Sequence, residues 1–105
     1  MLSVPRLDMQ VRIFAALADP IRIKIILLLS RGDMCVCEML PAFERSQSTI
    51  SKHLSILYNA GLLDRRVEGN RTIYGIKNRK VLELLETADA IAIEHLSSLV
   101  ETGGD

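Results

Sequence analysis

Apolar and polar positions along the chain alternate between a helical period and a two-residue period. From Leu7 to Ala18, the residues Leu7, Val11, Phe14, Leu17 and Ala18 recur at helical spacing. Asp19-Pro20 restarts a helix, with Asp as N-cap and Pro in the first turn, where its missing N–H costs nothing. This second helix runs through Ser30, is apolar nearly all round and is predicted to be the buried core helix; Arg31-Gly32-Asp33 ends it. A short helix is predicted from Cys35 to Leu40, stopping at or before Pro41. After the polar break Glu44-Arg45-Ser46, a helix is predicted from about Gln47 to Ala60, capped by Ser46 and closed by Gly61 in a left-handed conformation. Its apolar face is Ile50, Leu54, Leu57 and Tyr58, and its opposite face is Gln47, Ser48, Ser51, Lys52 and Ser55.

Leu62 to Val67 and Arg71 to Ile76 read as two strands around the turn Glu68-Gly69-Asn70. A long helix follows from about Asn78 to Val100. Val81, Leu85, Ala88, Ala92, Leu96 and Leu99 form one stripe, widened by Leu82, Leu84, Ile91 and Ile93. That is more apolar surface than one face of a small monomer buries, so a partner subunit is expected.

At 105 residues the chain is expected to be a single domain, 1–105, mainly α with a small β-hairpin. Core-filling aromatics are scarce, with two Phe, two Tyr and no Trp. The longest aliphatic run, Ile25-Ile26-Leu27-Leu28-Leu29, is far short of the ~20 residues of a membrane span. Arg6 and Asp8 interrupt the start before any signal-like apolar region forms. Two cysteines make no disulfide framework, so a reduced, cytoplasmic compartment is expected.

The formal net charge is zero, yet its distribution is uneven. Residues 1–44 carry five basic and five acidic side chains. Residues 45–80 carry eight basic side chains against Asp64 and Glu68, a net of +6. Residues 81–105 carry six acids and no Lys or Arg, a net of −6. An electropositive face on the middle segment follows, and neutrality of the whole excludes nothing.

A short helix, a turn, a helix with a small polar outer face and a basic hairpin follow the order of a winged helix-turn-helix. Small side chains such as Ser48 and Ser51 let a helix sit deep in the major groove, while Gln47 and Lys52 reach base edges or phosphates. Arg65, Arg66, Asn70 and Arg71 at the hairpin are placed to follow the neighbouring backbone or minor groove. A solvated polar face or an ordinary charged turn explains either feature alone. Their order within the +6 segment favours DNA.

These residues resemble the ArsR/SmtB family of bacterial and archaeal metal-responsive repressors. The resemblance runs from about Arg12 to Leu99. It is carried by Leu17-Ala18-Asp19-Pro20-Ile21-Arg22, Met34-Cys35-Val36-Cys37-Glu38, Ser46-Gln47-Ser48-Thr49-Ile50-Ser51-Lys52-His53-Leu54, Gly61-Leu62-Leu63 and Gly69-Asn70-Arg71-Thr72-Ile73-Tyr74. It implies a homodimer held by the first and last helices (7–18 and 79–101), a helix-turn-helix over 34–60 and a wing over 62–77. It also implies binding to a palindromic operator, release by an inducer, and DNA contacts from Gln47, Ser48, Ser51 and Lys52. His53, at the edge of the apolar face, reads as a packing or phosphate contact rather than a metal ligand.

Cys35-Val36-Cys37 is the candidate inducer site. Thiolates are soft ligands and select thiophilic ions: As(III), Sb(III), Cd(II), Pb(II), Zn(II). On an ideal helix residues two apart point about 200° away from each other, so shared binding is expected to need a distorted first turn. The alternative is that Cys behaves as a small buried hydrophobe. The arsenic-responsive branch that the chain resembles carries Cys-Val-Cys followed by Asp or Glu here, which implies As(III) or Sb(III) as inducer. That branch commonly has a third cysteine where this chain has Leu40, so an exogenous thiol or water is expected to complete the site. Recruitment of Asp33, Glu38 or the N-terminus would suit Cd(II), Pb(II) or Zn(II) better. The zinc-sensing branch uses carboxylate and His ligands on the last helix; His95 matches one, but Leu82, Leu84 and Ser98 stand at the others, and that site is rejected. A redox switch on the same thiols is the nearest alternative. A thiol enzyme or metal carrier is remote, since no acid/base group accompanies the thiols in sequence.

Overall fold

Two side-chain oxygens start the helices that carry the core. The Asp19 carboxylate accepts from the backbone N–H groups of Ile21 at 2.8 Å and Arg22 at 3.2 Å, with Pro20 in the first turn. Ser46 Oγ accepts from the Thr49 N–H at 3.2 Å. The computed structural model describes residues 3–103. Its helices are α1 (Ser3–Leu17), α2 (Pro20–Leu29), α3 (Val36–Met39), α4 (Gln47–Asn59) and α5 (Lys80–Gly103). Its strands are β1 (Met34–Cys35), β2 (Leu63–Glu68) and β3 (Arg71–Ile76), and a single 3-10 turn spans Leu40–Ala42.

Ile25, Ile26 and Leu29 of α2 pack with Ile50, Leu54 and Leu57 of α4, and all six are essentially inaccessible. Met39 and Leu63 close the same cluster from the α3 and β2 sides. The end of α4 is fixed by Gly61, whose φ of +80° favours glycine. The Gly61 N–H reaches the Tyr58 carbonyl at 3.0 Å and the Leu62 N–H reaches the Leu57 carbonyl at 3.1 Å, the Schellman pairing. The chain therefore turns sharply from α4 into the hairpin. Glu68 pairs with Arg71 across a two-residue loop, with a positive φ at Gly69 alone, the pattern of a type II′ turn.

The sheet has the order β1-β3-β2, all antiparallel, and its first strand is absent from the sequence reading. Met34 pairs with Tyr74 and Cys35 with Ile73. A two-residue strand leaves no alternation to detect, which is why periodicity misses it. The predicted helix Cys35–Leu40 is corrected in consequence. Cys35 is extended, with φ −81° and ψ 163°, and the helix begins at Val36. Pro41 does not stop the chain's coiling, because it sits in the first turn of the 3-10 segment, where no N–H is required.

Among the described residues, it is the first turns of α5 that pack against the core. Val81 is buried and Leu82 and Leu85 pack against the core. Beyond them Ile91, Ile93, Leu96 and Leu99 are each more than half exposed, as are Leu7, Val11 and Phe14 of α1. The projecting helix stretches the molecule to 59 × 44 × 21 Å, with a radius of gyration of 16.4 Å. A compact chain of this length has about 13 Å. The result is a mainly helical winged helix-turn-helix with an unburied apolar arm.

Candidate DNA-reading surface and thiol site

The polar face of α4 is set by the burial of the other. With Ile50, Leu54 and Leu57 turned inward, Gln47, Ser48 and Lys52 are exposed and Ser51 is half-buried. These are the four helix residues singled out in the sequence. Ser46 Oγ also contacts Ser48 Oγ at 3.2 Å and donates to Thr49 Oγ1 at 3.0 Å, fixing the first turn of this face.

The four wing residues divide. Asn70 and Arg71 stand exposed at the tip of the hairpin. The Arg65 guanidinium lies over the Tyr58 ring, 3.9 Å from its centroid, and so braces the wing against α4. Arg66 is tied down within the chain: its NH1 meets Asp33 Oδ2 and its Nε meets Glu68 Oε2, both at 2.6 Å. The hydrogen bonds it donates to Glu68 and Asp33 raise its already high pKa further. A Cβ on Gly75 would overlap the Asp33 carboxylate, so glycine there makes room for this link between the loop before β1 and the wing.

His53 faces inward. Arg22 NH1 lies 3.0 Å from His53 Nδ1, and Arg22 Nε donates to the Ala16 carbonyl at 2.6 Å. Because arginine stays protonated, His53 must accept on Nδ1. The pair joins the α1–α2 junction to α4, which gives the half-buried His53 a packing role. Desolvation opposes ionisation of Asp19, but N–H bonds from Arg22 and Ile21 and the nearby Arg22 and His53 hold its pKa below the ordinary value.

Cys35 and Cys37 are joined by a disulfide, with their Cα atoms 5.3 Å apart. The expected distortion of a helix is not needed to bring the sulfurs together. Cys35 precedes the helix in extended conformation, so the 200° separation of two helical residues does not apply. Cys35 is the N-cap of α3: its Sγ accepts from the Glu38 N–H at 3.2 Å, and Glu38 Oε1 accepts from the Cys35 N–H at 2.9 Å. This is a capping box with sulfur in place of a hydroxyl. The spacing Cys35-x-x-Glu38 was the signal that could have revealed it. Cys35 is 1% exposed, whereas Cys37 faces solvent.

Reduction of the disulfide turns the sulfurs into two soft donors. Among the described residues, no group of three or more His, Cys, Asp and Glu side chains is placed to hold an ion. Glu38 is occupied by the capping box and Asp33 by Arg66, so neither carboxylate is free to complete a set. Leu40, at the position of the expected third cysteine, packs against the core. His95 is exposed on α5 without a cluster around it. Two reduced thiolates fit a thiophilic ion when a third ligand completes the set.

The cysteine pair and the residues singled out in the sequence for DNA meet. A cleft of about 250 Å³ is lined by Cys35, Cys37, Gln47, Ser51, Asn70 and Arg71, among others. Arg71 NH1 donates toward Cys35 Sγ at 3.9 Å from across it. Thus the start of α4, the tip of the wing and both sulfurs share one set of walls. The sequence separation of these segments hid this.

Residues 19–65 match the model of the arsR family of bacterial regulatory proteins. An HTH-type transcriptional regulator of Methanocaldococcus jannaschii is 40% identical over 80 residues, 75% of this chain and 90% of that protein. The arsenical resistance operon repressor of Staphylococcus xylosus is 34% identical over 83 residues, 73% of this chain and 80% of the repressor. Among solved structures, a homodimeric winged helix-turn-helix DNA-binding domain from Mycobacterium bovis, described as a possible ArsR-family transcriptional regulator, is 32% identical. It superposes with a TM-score of 0.81 over 91% of this chain and 89% of that one.

Proposed function

The chain belongs to the arsR family of regulatory proteins, and from that premise we propose that it is a homodimeric, metalloid-responsive transcriptional repressor. In this reading it binds a palindromic operator in the cytoplasm through Gln47, Ser48, Ser51 and Lys52 of α4 and through the wing residues Asn70 and Arg71. Arg65 and Arg66 hold the wing in place. Residues 7–18 and 79–101 form the dimer, residues 34–60 the helix-turn-helix and 62–77 the wing. As(III) or Sb(III) is the inducer, with Cys35 and Cys37 as its protein ligands and a small thiol or water as the third. The arsenical repressor among the relatives supports this class of ion.

One observation carries the reading: Cys35 and Cys37 line the same cleft as Gln47, Ser51, Asn70 and Arg71, four of the residues assigned to DNA. Cys35 also lies on β1, paired to β3 of the wing, and caps the helix that leads into α4. Any rearrangement of the sulfurs is passed to both DNA-reading elements at once. A coupling of about 1–3 kcal/mol between inducer and DNA suffices to shift occupancy appreciably.

A second reading, oxidation of the same thiols, is favoured by their disulfide. There a peroxide is the two-electron oxidant: the S–S bond forms, the O–O bond breaks, and the two thiol protons leave on the resulting water or alcohol. A gel shift on the DNA upstream of the chain's own gene separates the two. Release by As(III) under reducing conditions supports the first. Release only by peroxide, reversed by dithiothreitol, replaces it with the second, and release by Cd(II), Pb(II) or Zn(II) alone reassigns the ion.

A further inference from the structure

The two sulfurs of the disulfide are not equivalent. Cys35 Sγ is buried, accepts the Glu38 N–H at 3.2 Å and is approached by the Arg71 guanidinium at 3.9 Å. Cys37 is exposed and lines the cleft that Gln47, Ser51, Asn70 and Arg71 enclose. In thiol–disulfide exchange, the sulfur that is attacked is the accessible one, and the sulfur that leaves is the one whose developing charge is better stabilised. Both criteria select the same direction here.

We propose that Cys37 is a site of reversible S-thiolation by carboxylate-bearing low-molecular-weight thiols, and that the adduct occupies the DNA-reading cleft. The incoming thiolate attacks Cys37 Sγ. A new S–S bond forms between it and Cys37, the Cys35–Cys37 bond breaks, and its electron pair remains on Cys35 as thiolate. The Glu38 N–H and Arg71 are already aimed at that atom. No external oxidant is needed, since the protein disulfide supplies the oxidising equivalent. The adduct's carboxylate then lies among Arg71, Asn70 and Gln47, groups that hydrogen-bond an anion. Arg71 is thereby drawn from a DNA phosphate to a charge within the same protomer. The return step is attack by the Cys35 thiolate on Cys37, which expels the small thiol and re-forms the disulfide.

The effect on DNA rests on the assignment of α4 and the wing to the operator; the direction of exchange does not. The oxidised full-length chain is incubated briefly with 3-mercaptopropionate, quenched in acid, capped with N-ethylmaleimide and mapped by fragment-ion mass spectrometry. The expected product carries the small thiol on Cys37 and the cap on Cys35, in at least about tenfold excess over the reverse, because access controls exchange. Equal labelling, the reverse arrangement, or no adduct at any time point overturns the proposal. Stable adducts are then made on Cys37 in Cys35→Ser, or in Cys35→Ala should Ser fold poorly, using the symmetrical disulfides of 3-mercaptopropionate and of cysteamine. The anionic adduct is expected to weaken binding to the upstream DNA by about tenfold, and the cationic one by less than about threefold. Equal losses show that charge in the cleft is immaterial and overturn its assigned role. No metalloid enters either experiment, so these results stand or fall separately from As(III) release.

Discussion

Cys35 serves as helix cap, strand residue and thiol at once, which makes its substitution informative. Serine keeps the capping box, because a hydroxyl accepts the Glu38 N–H at least as well as sulfur does. Under reducing conditions Cys35→Ser is therefore expected to bind DNA within about twofold of the parent while losing its response to As(III), which needs sulfur. Loss of DNA binding in this variant, measured by fluorescence anisotropy, would return the cysteine to a purely structural role. Asp19 offers a second test at this scale. Its folded-state pKa lies below its unfolded value, so its charge adds stability that is complete above the unfolded pKa and is lost as pH falls through the folded one. Asp19→Asn retains a cap but no charge. The melting temperature of the parent should exceed that of the variant at pH 6, with the gap closing below about pH 4. A gap independent of pH contradicts the role given to the ion.

The elements differ in how much of them the sequence announced. Helix α4 was legible almost to the residue, because its apolar stripe, its Ser46 cap and its Gly61 stop each have a local physical cause. The hairpin was legible from Gly69-Asn70 between alternating strands. The segment from Met34 to Ala42 was not. A two-residue strand has no period, and its pairing with β3 depends on contacts nearly forty residues away. The helical geometry assumed for Cys35 consequently led to an expected distortion that the extended cap makes unnecessary. Composition likewise gave all four wing residues the same part, whereas Arg66 is bound to Asp33 and Glu68 and Arg65 to Tyr58. Lys52 remains exposed on α4 and free to approach a phosphate. Lys52→Ala is expected to weaken binding about equally across DNA sequences and to lower the salt slope by about one. An unchanged slope would move the phosphate contact elsewhere.

For the whole molecule, zero net charge is the sum of a balanced first segment, a basic middle segment at +6 and an acidic last segment at −6. Five of those six acids share α5 with Ile91, Leu96 and Leu99, and among the described residues no helix is long and apolar enough to cross a membrane. In the proposed homodimer a second copy covers this apolar surface of α1 and α5. Placing charge on it, as in Ile91→Asp, is expected to shift the chain toward monomer in sedimentation velocity and to weaken operator binding with it. A dimer unchanged by that substitution would place the interface elsewhere. The central claim joins the thiols to the operator, and a single titration tests it. The reduced dimer is bound to fluorescently labelled DNA from upstream of its own gene, and As(III) is added while anisotropy is followed. Release of the parent is expected at about one ion per protomer, with no release of Cys37→Ser at the same concentrations. Retention of the parent on DNA, or equal release of both proteins, would contradict it.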